Sequence, residues 1–110
     1  MESGRAHERG AHAAKQREEI RKRSKALFGN RDRLEVMAAI AASRDGLVCA
    51  ADLERSVGLA NNRVRAQLIA LYEAGLLQAM PRSRDRIQWY QRQPSRLWQA
   101  AVDVYTEWNR

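Results

Sequence analysis

Gly58 stands between two stretches of helical periodicity, with only a few residues between them. Ala50, Leu53 and Val57 fall on one face of a helix over about residues 50–57. Val64, Leu68, Leu71 and Tyr72 do the same in a second helix that ends at Gly75. Glycine accepts the left-handed backbone of a helix C-terminus, so Gly58 stops the first helix. Two helices joined by so short a glycine turn form a helix-turn-helix arrangement. The first helix braces the second, and one face of the second stays free.

The flanking sequence supplies the rest of one small domain. Leu27-Phe28 begins its apolar body, and Gly29-Asn30 breaks and caps. Leu34, Met37, Ala38 and Ala41, widened by Val36 and Ile40, predict a helix over about residues 31–43. Arg44-Asp45-Gly46 is turn chemistry, and Leu47-Val48 is a stub of strand. Residues 76–80 and 87–91 read as two strands joined by the polar turn 81–86, a β-hairpin with a basic tip. Pro94-Ser95 opens a last helix, about residues 94–108. Leu97, Trp98, Ala101, Val102, Tyr105 and Trp108 make its apolar arc wider than one small core requires. Aromatic residues are favoured at interface centres, so these six are the expected homodimer interface.

Charge is unevenly distributed. The 110 residues carry a net +7 and a pI near 10.5, which points to a polyanion or an acidic surface as partner. Residues 1–26 have eight basic and four acidic side chains and Ile20 as their only large aliphatic residue after Met1. Such a segment is expected to be a basic tail, disordered or a solvated helix, with the domain occupying residues 27–110. Residues 27–60 carry −1, with four basic and five acidic side chains. Residues 61–96 carry +5, from Arg63, Arg65, Arg82, Arg84, Arg86, Arg92 and Arg96 against Glu73 and Asp85. The positive charge of the body therefore begins in the second helix of the pair and continues through the hairpin.

Other chemistries lack their residues. The single cysteine, Cys49, cannot form a disulfide within one chain, and a reducing, cytoplasmic compartment is expected. No apolar run approaches the ~18–20 residues of a membrane span, so no membrane partner is expected. There is no glycine-rich phosphate loop and no nucleophile elbow, and His7 and His12 lie in the tail. No enzyme activity, cofactor or metal site is expected, because thiolate chelation needs several ligands and Cys49 stands alone.

ADLERSVGLANNRVRAQLIALYEAGLL, residues 51–77, resembles the core of winged helix-turn-helix transcription regulators, with the ArsR- and MarR-like bacterial groups nearest in pattern. Leu53, Gly58 and Leu59, then Val64, Leu68 and Leu71, then Glu73-Ala74-Gly75-Leu76-Leu77 carry the likeness, which covers about residues 30–91. It implies a mainly α, α+β fold with a two-stranded hairpin wing and a C-terminal helix. It also implies that Asn61, Asn62, Arg63, Arg65 and Gln67 lie on a recognition helix for double-stranded DNA.

The residue types suit that role. Asn and Gln can bond adenine, and Arg can bond the O6 and N7 of guanine, each good pair contributing ~1–3 kcal/mol of discrimination. One of Asn61 and Asn62 can instead cap the helix. Arg63 and Arg65 can instead meet phosphates. Arg82, Arg84 and Arg86 alternate along the hairpin, which in extended backbone places them on one side, suited to phosphate or minor groove. The expectation is a small homodimeric, nucleoid-associated transcription regulator. The alternatives are a winged-helix protein–protein module and an architectural or replication protein of a plasmid or phage. Any small-molecule or protein effector, its identity unknown, would bind at the dimer interface or the tail.

Overall fold

In a computed structural model of the chain, backbone is described for residues 2–82 and 84–110, and side chains from residue 10 onward except Ser83. The side chains of Arg5, His7 and Arg9 and the tip residue Ser83 thus lie outside the described residues. Among the described residues, five helices surround one core: α1 (Glu2–Phe28), α2 (Arg33–Ala42), α3 (Ala50–Val57), α4 (Asn61–Glu73) and α5 (Arg96–Trp108). The strands β1 (Leu47–Val48), β2 (Leu77–Ala79) and β3 (Tyr90–Arg92) form an antiparallel sheet in the order β1-β3-β2. None of the described helices is long and apolar enough to cross a membrane.

The boundary drawn between a tail and the domain at residue 26 needs correction. Ile20 is fully buried, and Ser24 is buried beside it. Burying one such aliphatic side chain contributes about 1.5–3 kcal/mol. Ser24 has a structural task. Its hydroxyl donates to the Asn30 carbonyl at 2.7 Å and accepts from the Leu34 N–H at 3.1 Å. It thereby satisfies a first-turn donor of α2 that the N-cap residue, Asp32, does not reach with its own side chain. Residues 10–15 of α1, by contrast, are exposed.

Charged groups lock α1 onto α2 and α3. Glu35 of α2 is buried and accepts from Arg21 at 2.5 Å and Arg17 at 3.5 Å. Arg17 also donates to the Val57 carbonyl at 2.7 Å, at the C-terminus of α3 where cations are favoured. Gly58 follows with φ +74° and donates its N–H to the Glu54 carbonyl at 2.9 Å. The left-handed residue predicted for this turn is in place.

Arg92 is structural as well. Its Nη1 donates to the carbonyls of Ile40, Ala41 and Ser43 at 2.7, 2.8 and 3.2 Å. A guanidinium there satisfies the last carbonyls of α2 and complements its dipole. Its charge, part of the +5 of residues 61–96, is therefore engaged at the end of α2. Gly46 adopts φ +73°, where glycine is favoured; a Cβ there would also sit 3.1 Å from Arg92 Cβ and 2.9 Å from the Gln91 amide nitrogen, the end of a flexible side chain that would have to move aside.

The two-residue β1 pairs with β3, Leu47 opposite Gln91 and Val48 opposite Tyr90. The hairpin strands are shorter than expected and the loop between them is longer. A further backbone bond, from Met80 N–H to the Trp89 carbonyl at 2.9 Å, extends the hairpin beyond its regular pairing. The side-chain amide of Gln88 donates to the Met80 carbonyl at 2.8 Å across the same gap.

Candidate nucleic-acid interface

The helix pair α3–α4 sets one face of α4 outward. Val64, Gln67, Leu68 and Leu71 are buried, whereas Asn61, Asn62, Arg65, Ala66, Ile69 and Tyr72 are exposed. At 3.6 residues per turn the exposed positions form one continuous stripe. Asn61, Asn62 and Arg65 are therefore displayed together near the start of the helix.

Gln67 does not share that face. It is 1% exposed. Its amide nitrogen donates to Asn30 Oδ1 at 2.7 Å, and its oxygen accepts from Arg33 Nε at 2.6 Å. Asn30 Oδ1 also accepts from the Asp32 N–H at 2.9 Å. Gln67 thus ties α4 to the α1–α2 turn and has no route to a base edge. The residue type matched the recognition pattern, but its neighbours Val64, Leu68 and Leu71 turn it inward.

The caps also differ from expectation. Neither asparagine caps α4: the N-cap is Ala60, in extended conformation and without a side-chain bond. Asn61 donates to Glu54 Oε2 of α3 at 3.2 Å. Tyr72, expected on the buried stripe, is 49% exposed and meets Tyr90 of β3 edge to face, with centroids 6.3 Å apart. It fills the seam between α4 and the hairpin.

Arg63 sits at the opposite edge of the stripe, held by Asp32. Its Nε donates to Oδ2 at 2.9 Å and its Nη2 to Oδ1 at 2.5 Å. The Asp32 side chain is 10% exposed and that of Arg63 41%. The bond to Asp32 raises the Arg63 pKa further above its already high value, so its charge is permanent. This side-on pairing occupies Nε–H and one Nη2–H, leaving the end of the guanidinium toward solvent. Asp32 was missed in the sequence, because a helix expected from about residue 31, with Asn30 before it as the cap, makes Asp32 an ordinary first-turn acid, whereas the helix starts at Arg33.

In the hairpin Arg82, Arg84 and Arg86 are all exposed. The expected alternation along an extended strand does not hold, because Arg82, Arg84 and Arg86 all lie outside the strands. Arg86 has φ +60°, and the Ile87 N–H donates to Asp85 Oδ1 at 3.3 Å, giving the tip a local turn. Arg82 Nε meets Gln88 Oε1 at 3.5 Å.

The proposed interface helix divides in two. Trp98 and Ala101 are buried in the chain's own core, and Trp98 Nε1 donates to the Gln93 carbonyl at 2.7 Å. These two residues are removed from the expected dimer surface, because α5 packs them inward. Leu97 is exposed, and Val102, Tyr105 and Trp108 are half-buried. Val102 and Tyr105 line an open groove of about 890 Å³ with Ala38, Ala42, Leu53 and Val57. Arg23 lies over the Trp108 ring, 5.5 Å from its centroid. Ser95 caps the helix by accepting from the Leu97 N–H at 3.1 Å.

No protein-family model matches the chain, and no curated protein matches it by sequence. Solved structures do match in fold. MepR, a transcription regulator of the Staphylococcus aureus multidrug efflux pump MepA, superposes with a TM-score of 0.58 at 10% identity, covering 86% of this chain and 67% of MepR. AbsC, a MarR family transcriptional regulator from Streptomyces coelicolor, gives a TM-score of 0.59 at 12% identity, over 93% of this chain and 69% of AbsC. Sco5413, a MarR family regulator from the same organism, gives 0.52 at 12% identity, over 96% of this chain and 69% of its own. With the helix pair, the three-stranded sheet and the wing in place, the chain has a MarR-like winged helix-turn-helix fold.

Proposed function

We propose that this protein binds double-stranded DNA sequence-specifically as a homodimer and regulates transcription at the nucleoid, in the cytoplasm. One observation carries the reading: the braced helix α4 displays Asn61, Asn62 and Arg65, and the adjoining wing displays Arg82, Arg84 and Arg86. The first set matches base edges and the second matches phosphates or a minor groove. Arg63 joins through the free end of its guanidinium. Asp32 orients it, as a positioning partner that does not itself contact DNA. The surfaces left for a partner copy on α5 are Leu97, Val102, Tyr105 and Trp108.

Selection from pooled duplex oligonucleotides, followed by titration of the recovered site, tests the reading. The expected site has two-fold symmetry with half-sites about one helical turn apart. Arg65→Ala is expected to relax preference at particular base pairs. Arg84→Ala is expected to weaken all sequences alike and flatten the salt dependence. Duplex affinity that neither change alters would sink the assignment.

A further inference from the structure

Ile69 occupies the middle of the outward face of α4 and is 51% exposed. It lies four residues after Arg65, three after Ala66 and seven after Asn62, so all four share one stripe. Tyr72 and the wing bound that stripe on one side through the Tyr72–Tyr90 contact. Arg63 and the α1–α2 turn bound it on the other through the Asp32 pair. Ile69 is not explained by core packing, since half of it faces solvent. Helix propensity does not explain it either, because a β-branched side chain is a poorer helix former than the Ala, Lys or Glu that would serve at a wet position.

We propose that Ile69 is a specificity-determining residue that reads a thymine through its C5-methyl group in the major groove. This rests on the DNA-binding reading and adds the methyl contact that the polar residues cannot supply. Thymine is the base whose major-groove edge carries a methyl group, and an apolar side chain recognises it by contact. The occupant of the face is duplex DNA because the apolar centre is set among groups suited to DNA. Arg65 and Asn62 lie on the same stripe, and the exposed arginines of the wing lie beyond it. A partner protein for an apolar helix face would instead be expected to meet a run of apolar neighbours.

Uracil substitution isolates the methyl. In the duplex recovered by selection, each thymine is replaced singly by deoxyuridine and affinity is measured by fluorescence anisotropy. This is done for the intact protein and for Ile69→Ala, which keeps the helix and removes no side chain of the buried core. In the intact protein, one thymine per half-site is expected to lose about fourfold in affinity when its methyl is removed, the worth of one buried methyl group. In Ile69→Ala that thymine is expected to be insensitive to the change, while the other positions respond as before. A uracil scan that is flat in the intact protein, or identical in the two proteins, overturns the inference while leaving DNA binding standing. A protein that binds no duplex at all overturns the underlying reading and this one with it.

Discussion

Arginine 63 and glutamine 67 are one turn apart on the same helix, and both are turned toward the α1–α2 junction. Gln67 holds Asn30 and Arg33 together inside the fold. Gln67→Ala is expected to cost about 1–3 kcal/mol in urea unfolding, because it strands buried polar partners. Asn62→Ala, on the exposed face, is expected to leave stability within about 0.5 kcal/mol. Equal stabilities for the two variants would contradict the buried network. Arg63→Ala uncovers the Asp32 carboxylate, so its loss of DNA affinity is to be read only beside its unfolding curve. Arg65→Ala carries no such complication. Cys49 offers a pH test. Burial pushes its thiol above the ordinary value of 9.0. The folded state thus keeps this proton where an unfolded chain has begun to lose it. Its contribution to stability is complete below 9.0 and falls away as pH rises toward and through the folded value. Cys49→Ala is expected to lose less Tm than the parent between about pH 8 and about pH 10. Equal losses would mean that the thiol is not held protonated by the fold.

Helix α1 shows how far elements depend on one another here. Residues 10–15 of the helix are exposed, and deletion of residues 1–15 is expected to change the thermal unfolding temperature little. Deleting 1–26 removes Ile20, Ser24 and both arginines on Glu35. That truncation is expected to abolish cooperative unfolding in circular dichroism; a cooperative transition surviving it would restore the view of residues 1–26 as a tail. Ile20→Ala alone is expected to cost about 2–5 kcal/mol. The composition of this segment hid its role, because a single isoleucine and a serine make no visible apolar stripe. Their burial is a property of α2, which supplies the surface they pack on. Elements with strong local signals were readable directly. Ala50–Val57 matches its expected span, since an apolar triplet and a glycine stop define both ends. The helix-to-wing exit at Gly75-Leu76-Leu77 was readable for the same reason. The wing itself was read with strands too long, because Ile87 and Trp89 favour strand locally. The turn at Asp85 and Arg86 instead keeps Ile87, Gln88 and Trp89 out of the strand. Partnerships across the chain, such as Arg92 on the end of α2 or Asp32 on Arg63, have no local signature.

At the scale of the whole molecule, charge and geometry constrain each other. The chain extends 52 × 30 × 23 Å, and a single α4 can enter one major groove. Two grooves on one side of a duplex, about 34–36 Å apart, call for two copies. Each copy exposes Arg65, Arg82, Arg84 and Arg86 on α4 and the wing. If each of the four neutralises one phosphate, a single copy gives a slope of about −4 for log affinity against log salt, and a dimer about −7. The proposed dimer is therefore testable without seeing the interface. The selected full site is expected to give the steeper slope, an isolated half-site the shallower one. Leu97→Glu places a charge on the exposed start of α5, outside the buried core. It is expected to shift sedimentation toward the monomer and to bring the full-site slope down to the half-site value. A variant that sediments as a monomer yet keeps the steep slope would show that the two recognition helices do not act through α5.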